Sequence, residues 1–151
     1  KGSSSHRYAL TLRWANPDFR ATTAVSSWSL TAGTTNDVKV VMTRLHGHTN
    51  ELRLAFASLP EGVSAEFVTA PTSTGEVSLR LVAATNAPAS SGPVRVKVEA
   101  SCLAEPRFVV SDLVSRGENN GVPQGYSRLL RDSIDVQWLT VLPAPSPTVD
   151  K

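Results

Sequence analysis

The central part of the chain alternates apolar and polar residues with a period of two, as strands with one buried face do. Val38, Val40 and Met42 alternate with Asp37, Lys39 and Thr43, and Leu52, Leu54 and Phe56 with Arg53, Ala55 and Ala57. Val77, Leu79 and Leu81 alternate with Ser78 and Arg80. Val94, Val96, Val98 and Ala100 alternate with Arg95, Lys97, Glu99 and Ser101. One apolar and one polar face per strand predicts antiparallel sheets that are wet on one side.

Turn chemistry separates these runs. Ala32-Gly33-Thr34-Thr35-Asn36-Asp37 precedes the first, His46 to Asn50 follows it, Leu59-Pro60-Glu61-Gly62-Val63 ends the second, and Asn86 to Pro93 joins the third and fourth. Such spacing is that of a β-sandwich. Two more strands are predicted, one holding Trp28 and Leu30 and one in which Ile134, Val136 and Trp138 share parity. The second continues into an apolar run, Leu139 to Leu142. A shorter strand is expected over 65–68, and Tyr126 to Asp132 is expected to form a turn of helix.

The ends differ from the middle. Tyr8, Leu10, Leu12 and Trp14 alternate, but Asn16-Pro17-Asp18-Phe19 resets the chain, so residues 1–15 read as a first strand or as the last strand of a preceding domain. Residues 16–143 form the predicted domain. Within it, 115–127 (SRGENNGVPQGYS) is an inserted polar loop. The Pro-rich residues 144–151 read as a stiff linker or tail. The chain opens on Lys1 without a charged-then-apolar leader, and is expected to be a mature fragment or a piece of a longer polypeptide.

Composition narrows the picture only a little. A chain of 151 residues with 40% hydrophobic content can bury one core without staples. A net charge of +2, with Lys and Arg placed singly, argues against nucleic acid or an anionic membrane as partner. The lone cysteine, Cys102, cannot form an internal disulfide and reads as a small buried hydrophobe.

Candidate chemistry is sparse. His46 and His48 flank Gly47 and are the weak candidates for a metal site, since imidazoles are common ligands. On a strand they would point the same way. Gly47 between two alternating strands places them instead in a hairpin loop, and the only other histidine, His6, is distant in sequence. Asp112, Glu118, Asn119, Asn120 and Asp132 offer oxygens for calcium but lack the spacing of a calcium loop. Trp14, Trp28 and Trp138 are candidates for a sugar-stacking platform, against which Trp28 and Trp138 share parity with aliphatic core positions. The chain has no Gly-x-Ser-x-Gly elbow, phosphate loop, dinucleotide fingerprint or HExxH. No catalytic residue and no cofactor are expected.

The order of these pieces resembles a family, the bacterial immunoglobulin-like modules of large exported proteins. The resemblance rests on Ala32-Gly33, Val38-Lys39-Val40, Arg44, Gly47, Leu52 to Phe56 and the words Leu59-Pro60-Glu61-Gly62-Val63. It continues through Leu79-Arg80-Leu81, Ala87-Pro88 and Val94 to Ala100. In that family an aromatic side chain commonly follows the hairpin glycine and packs over the hairpin, the place His48 takes here. Such modules often follow a pre-peptidase C-terminal domain, whose last strand is similar to His6-Arg7-Tyr8-Ala9-Leu10-Thr11-Leu12. The loop 115–127 has no counterpart in it.

The resemblance implies an all-β, immunoglobulin-like antiparallel sandwich of about seven strands. It implies a non-catalytic spacer or interaction module of a secreted or cell-surface protein. The expected partners are neighbouring domains of the same polypeptide or a surface protein or glycan, without nucleic acid or membrane insertion. The alternatives are a carbohydrate-binding accessory module and a metal-binding domain.

Overall fold

The computed structural model describes residues 11, 15–101, 103–115 and 130–145. Along the chain the strands are β1 (Asp18–Thr23), β2 (Ser27–Thr31), β3 (Thr35–Leu45), β4 (Leu52–Phe56), β5 (Val63–Ala65), β6 (Val68–Thr69) and β7 (Gly75–Ala83). They continue with β8 (Ser90–Val94), β9 (Val96–Ala100), β10 (Arg107–Phe108), β11 (Val110–Ser115), β12 (Leu130–Ile134) and β13 (Gln137–Leu142). Several of these are halves of one run, divided where the chain bends from one layer to the other.

The first layer has the order β12-β11-β1-β3-β7-β5. The second consists of two ladders, β10-β9-β4-β6 and β2-β13-β8, joined through Arg95 between β8 and β9. The core lies between the layers. Val38, Val40 and Met42 of β3 and Leu79 and Leu81 of β7 meet Leu52, Leu54, Val96 and Val98 of the opposite layer. All are fully buried, and each contributes about 1.5–3 kcal/mol of apolar burial. The fold is thus an all-β, immunoglobulin-like β-sandwich, antiparallel in most of its pairings.

Two pairings are parallel. β2 runs beside β13 over five register positions, from Ser27↔Trp138 to Thr31↔Leu142. β1 runs beside β11 at Thr22↔Val110 and Thr23↔Ser111. Both follow from strands that change layer. The chain crosses between β1 and β2, again at the fully buried Val109 between β10 and β11, and again between β12 and β13.

The Leu59–Val63 words make a tight turn, with Val63 N–H donating to the Pro60 carbonyl at 3.1 Å. Gly62 takes φ +74°, and a Cβ there would meet the Ala87 Cα at 2.8 Å. Only glycine serves both demands. Leu59 and Val63 pack against the core, as the motif implies.

The expected helical turn over Tyr126 to Asp132 is overturned in its described part. Leu130–Ile134 is strand β12, paired with β11 from Ser111↔Ile134 to Ser115↔Leu130. Three successive polar residues, Arg131 to Ser133, give no strand alternation there, and the paired neighbour strand decides the conformation. Tyr8 to Leu10, Leu12 to Trp14, Cys102 and the loop residues 116–129 lie outside the described residues.

Candidate functional site

The stretch with the two histidines is a tight turn between β3 and β4. His48 N–H donates to the Leu45 carbonyl at 3.1 Å, and the two central residues have positive φ, His46 at 53° and Gly47 at 76°. Positive φ at both centres is the type I′ geometry, but the expected hairpin is not formed: β3 and β4 are unpaired and lie in opposite layers, so the turn carries the chain from one layer to the other. The turn sends its histidines to different places. His46 is exposed, whereas His48 is buried and meets the Phe19 ring edge-on, centroids 5.3 Å apart.

Arg44 fixes this arrangement. Its guanidinium donates to His48 Nδ1 at 2.9 Å, to the Asn50 carbonyl at 2.6 Å, and to the Pro71 carbonyl through Nε at 3.3 Å and a terminal nitrogen at 3.1 Å. Arginine can only donate, so Nδ1 of His48 is the acceptor in this contact. The Nδ1 lone pair is therefore engaged by a cation rather than offered to a metal. On the other side of Phe19, Arg107 stacks on the ring at 5.0 Å and pairs with Asp18. The Phe19 backbone N–H, at 2.8 Å, and then Arg107 hold the Asp18 carboxyl below its ordinary pKa. Among the described residues no three His, Cys, Asp or Glu side chains gather as a metal site. His6, Glu118, Asn119 and Asn120 lie outside those residues. Asp112 and Asp132 sit one position out of register on β11 and β12, so period two turns them to opposite faces.

The outer faces of the layers differ in chemistry. On the first layer Asp37 holds Arg80 through two bonds, at 2.8 and 3.1 Å, and Lys39 pairs with Glu76 at 3.0 Å. Arg80 lowers the Asp37 pKa. On the second layer, Arg53 pairs with Glu51 and stacks on the exposed Phe67. The ladder β2-β13-β8 is different: its sequences SWSLT, SSGPV and QWLTVL contain no ionisable residue.

This neutral face is built by register. Trp138 on the central strand lies between Ser27 and Pro93, and Thr140 lies between Ser29 and Ser91. Leu142 lies beside Thr31. Trp138 is 48% exposed and Leu142 46%. The indole N–H donates to Ser91 Oγ at 2.7 Å, and that hydroxyl is 3.0 Å from Thr140 Oγ1.

The expectation that Trp138 packs in the core is thereby overturned. Its supposed parity partners Ile134 and Val136 precede it across a change of layer, and Asp135-Val136 between β12 and β13 resets the alternation. The inward positions of β13 are Gln137, Leu139 and Val141. The Gln137 amide donates to the Val109 carbonyl at 3.1 Å, while its Oε1 is buried with no hydrogen-bond partner among the described residues. The available signal for this parity was the polar Thr140 set between the apolar Leu139 and Val141. Trp28 is buried, with its ring 6.1 Å from Phe56, and Trp14 lies outside the described residues.

No protein-family model and no curated protein matches the chain. Among solved structures, the chain is similar to a family 123 glycoside hydrolase from Clostridium perfringens, described for glycolipid glycan hydrolysis. That likeness has 9% identity and a TM-score of 0.45, and covers 88% of this chain and 28% of the hydrolase. The chain thus spans under a third of that protein's length. A second likeness is to the ASH/PapD-like domain of human CEP192 (PapD-like domain 7), at 9% identity and TM-score 0.41, covering 97% of this chain and 99% of that one.

Proposed function

We propose that the chain is a non-catalytic spacer and interaction module of a larger exported or cell-surface protein, of the bacterial immunoglobulin-like kind that its motifs resemble. The observation that supports this most is where the chain enters and leaves the sandwich. Asp18, at the start of β1, pairs with Leu45 at one end of β3. Leu142, at the close of β13, accepts a hydrogen bond from Ala32 N–H at 2.9 Å, beside the opposite end of β3. The length of β3, 11 residues, separates these points by about 35 Å. A module so threaded extends a polypeptide and holds its neighbours apart, and neighbouring domains are its first partners.

The terminal strands suit the task. Tension on the two ends enters through β1, held lengthwise by β3 and β11, and leaves through β13, held by β2 along a parallel ladder of five register pairs. The ladder's hydrogen bonds are then loaded together rather than opened one by one. The chemistry of the parent protein belongs to its other domains.

The test is the separation of the two ends in solution. Fluorophores on Asn16→Cys and Ala144→Cys, in a Cys102→Ser background, are expected to report about 35 Å by energy transfer. Ends less than about half that distance apart contradict a spacer.

A further inference from the structure

We propose that the outer face of the ladder β2-β13-β8 docks a neutral polysaccharide, with Trp138 as its stacking platform. The proposal does not depend on the spacer role. It rests on three properties of this one face.

The first is charge. The rest of the sandwich carries ion pairs on its outer strands, whereas these three strands have none and no residue able to form one. An anionic glycan, a nucleic acid or a charged lipid surface finds no counter-charge here, and an uncharged ligand binds without stripping water from any ion. Ion-paired residues border the face without entering it: Arg95 meets Asp135 at 3.6 Å between strands at one rim, and Asp37 and Lys39, held by Arg80 and Glu76, share a hollow with Ser27 and Ser29 at the other.

The second is the kind of polar group presented. Ser27, Ser29, Thr31, Ser91 and Thr140 give a field of hydroxyls in strands about 4.8 Å apart. A hydroxyl donates and accepts, which matches the hydroxyls of a sugar. Protein partners are the poorer fit, because serine is depleted at protein interfaces and Ser and Thr are under-represented among their hot spots.

The third is the indole itself. Its N–H is satisfied by Ser91, whose hydroxyl lies within hydrogen-bonding distance of Thr140, so the ring is held in place before any ligand arrives. A ring with its polar edge occupied and nearly half its surface exposed offers an apolar π-face, against which the C–H groups of a pyranose pack. Little side-chain entropy remains to be lost on binding. Leu142, four residues along the strand, lies about 13 Å further on and extends the platform beyond a single sugar unit.

The experiment uses the whole chain with hexasaccharides of β-linked glucose and of β-linked N-acetylglucosamine, followed by calorimetry and tryptophan fluorescence. Saturable binding of at least one of them is expected. Trp138→Ala weakens it at least about tenfold, and Ser91→Ala, which releases the indole, weakens it less. Retained far-ultraviolet dichroism and unfolding midpoint in both variants exclude loss of fold as the cause. Thr140→Lys, which puts a charge in the centre of the face, also weakens binding. Four results overturn the proposal: no binding of either sugar up to millimolar concentration, binding that Trp138→Ala leaves unchanged, binding confined to an acidic polysaccharide such as heparin, or self-association of the free protein that Trp138→Ala abolishes.

Discussion

Arg44 shows how one side chain can organise an end of the sandwich. A half-buried guanidinium with four donated bonds ties the β3–β4 turn to the loop at Pro71 and holds the imidazole of His48 against Phe19. Arg44→Ala leaves the Asn50 and Pro71 carbonyls and His48 Nδ1 without this donor, and is expected to cost about 2 kcal/mol in urea unfolding. Arg44→Lys rescues little, because a single ammonium cannot span three acceptors in different directions. Asp18 sets the pH response at the same end. Its folded pKa lies below the ordinary carboxylate value, owing first to the Phe19 N–H and then to Arg107. Its contribution is therefore complete above the unfolded pKa and is lost as pH falls through the lower, folded one. Stability measured between about pH 2 and 6 is expected to fall less steeply in Asp18→Asn than in the native chain. The sequence placed His46 and His48 in a turn because a glycine parted two alternating runs. Alternation alone did not reveal that the His48 ring turns inward; the resemblance implied that it packs, and the partner it packs on, Phe19, lies far away along the chain.

At the scale of elements, period two located β3, β4, β7 and β9 because those strands stay in one layer, but it missed β8, whose residues Ser90 to Pro93 read as part of a connecting turn. The buried residues of the located strands were legible one by one, from Val38 to Val98. The pattern misled where a strand changes layer. Parity counted from Ile134 placed Trp138 inside, and the two-residue step at Asp135-Val136 turned it outward. The turn elements were more legible, because their residue types answer to backbone geometry rather than to distant neighbours. Gly62 is the clearest case, with positive φ and the Ala87 backbone close behind. Gly62→Ala is expected to lower stability by at least about 1–2 kcal/mol from the backbone alone, with the clash adding to it. Thermal unfolding checks this, and Gly47→Ala is the control. It shares the positive φ, but nothing lies within 4 Å of the added carbon, so the smaller loss is expected there.

The whole molecule has properties that no single strand displays. The crossings that follow β1, β10 and β12 place the two parallel pairings along the sides of the sandwich and the entering and leaving strands at its opposite ends. None of this was legible in local alternation, which says that a residue faces a core but not which layer or neighbour completes it. The distribution of charge is likewise a property of the assembled sheets. Evenly scattered Lys and Arg in the sequence become rows of ion pairs on one layer and leave the β2-β13-β8 face neutral.

The claim that this is a load-carrying spacer is tested most directly by pulling single molecules along two different axes. Attached through Asn16 and Ala144, the module is expected to resist and then unfold at a discrete force peak, because β1 must slide along β3 and β13 along β2, each over five register pairs. Attached through Asn16 and Thr49, both at the β3–β4 end, it is expected to peel open at a distinctly lower force. Equal forces along both axes, or a weaker response end to end, contradict the account.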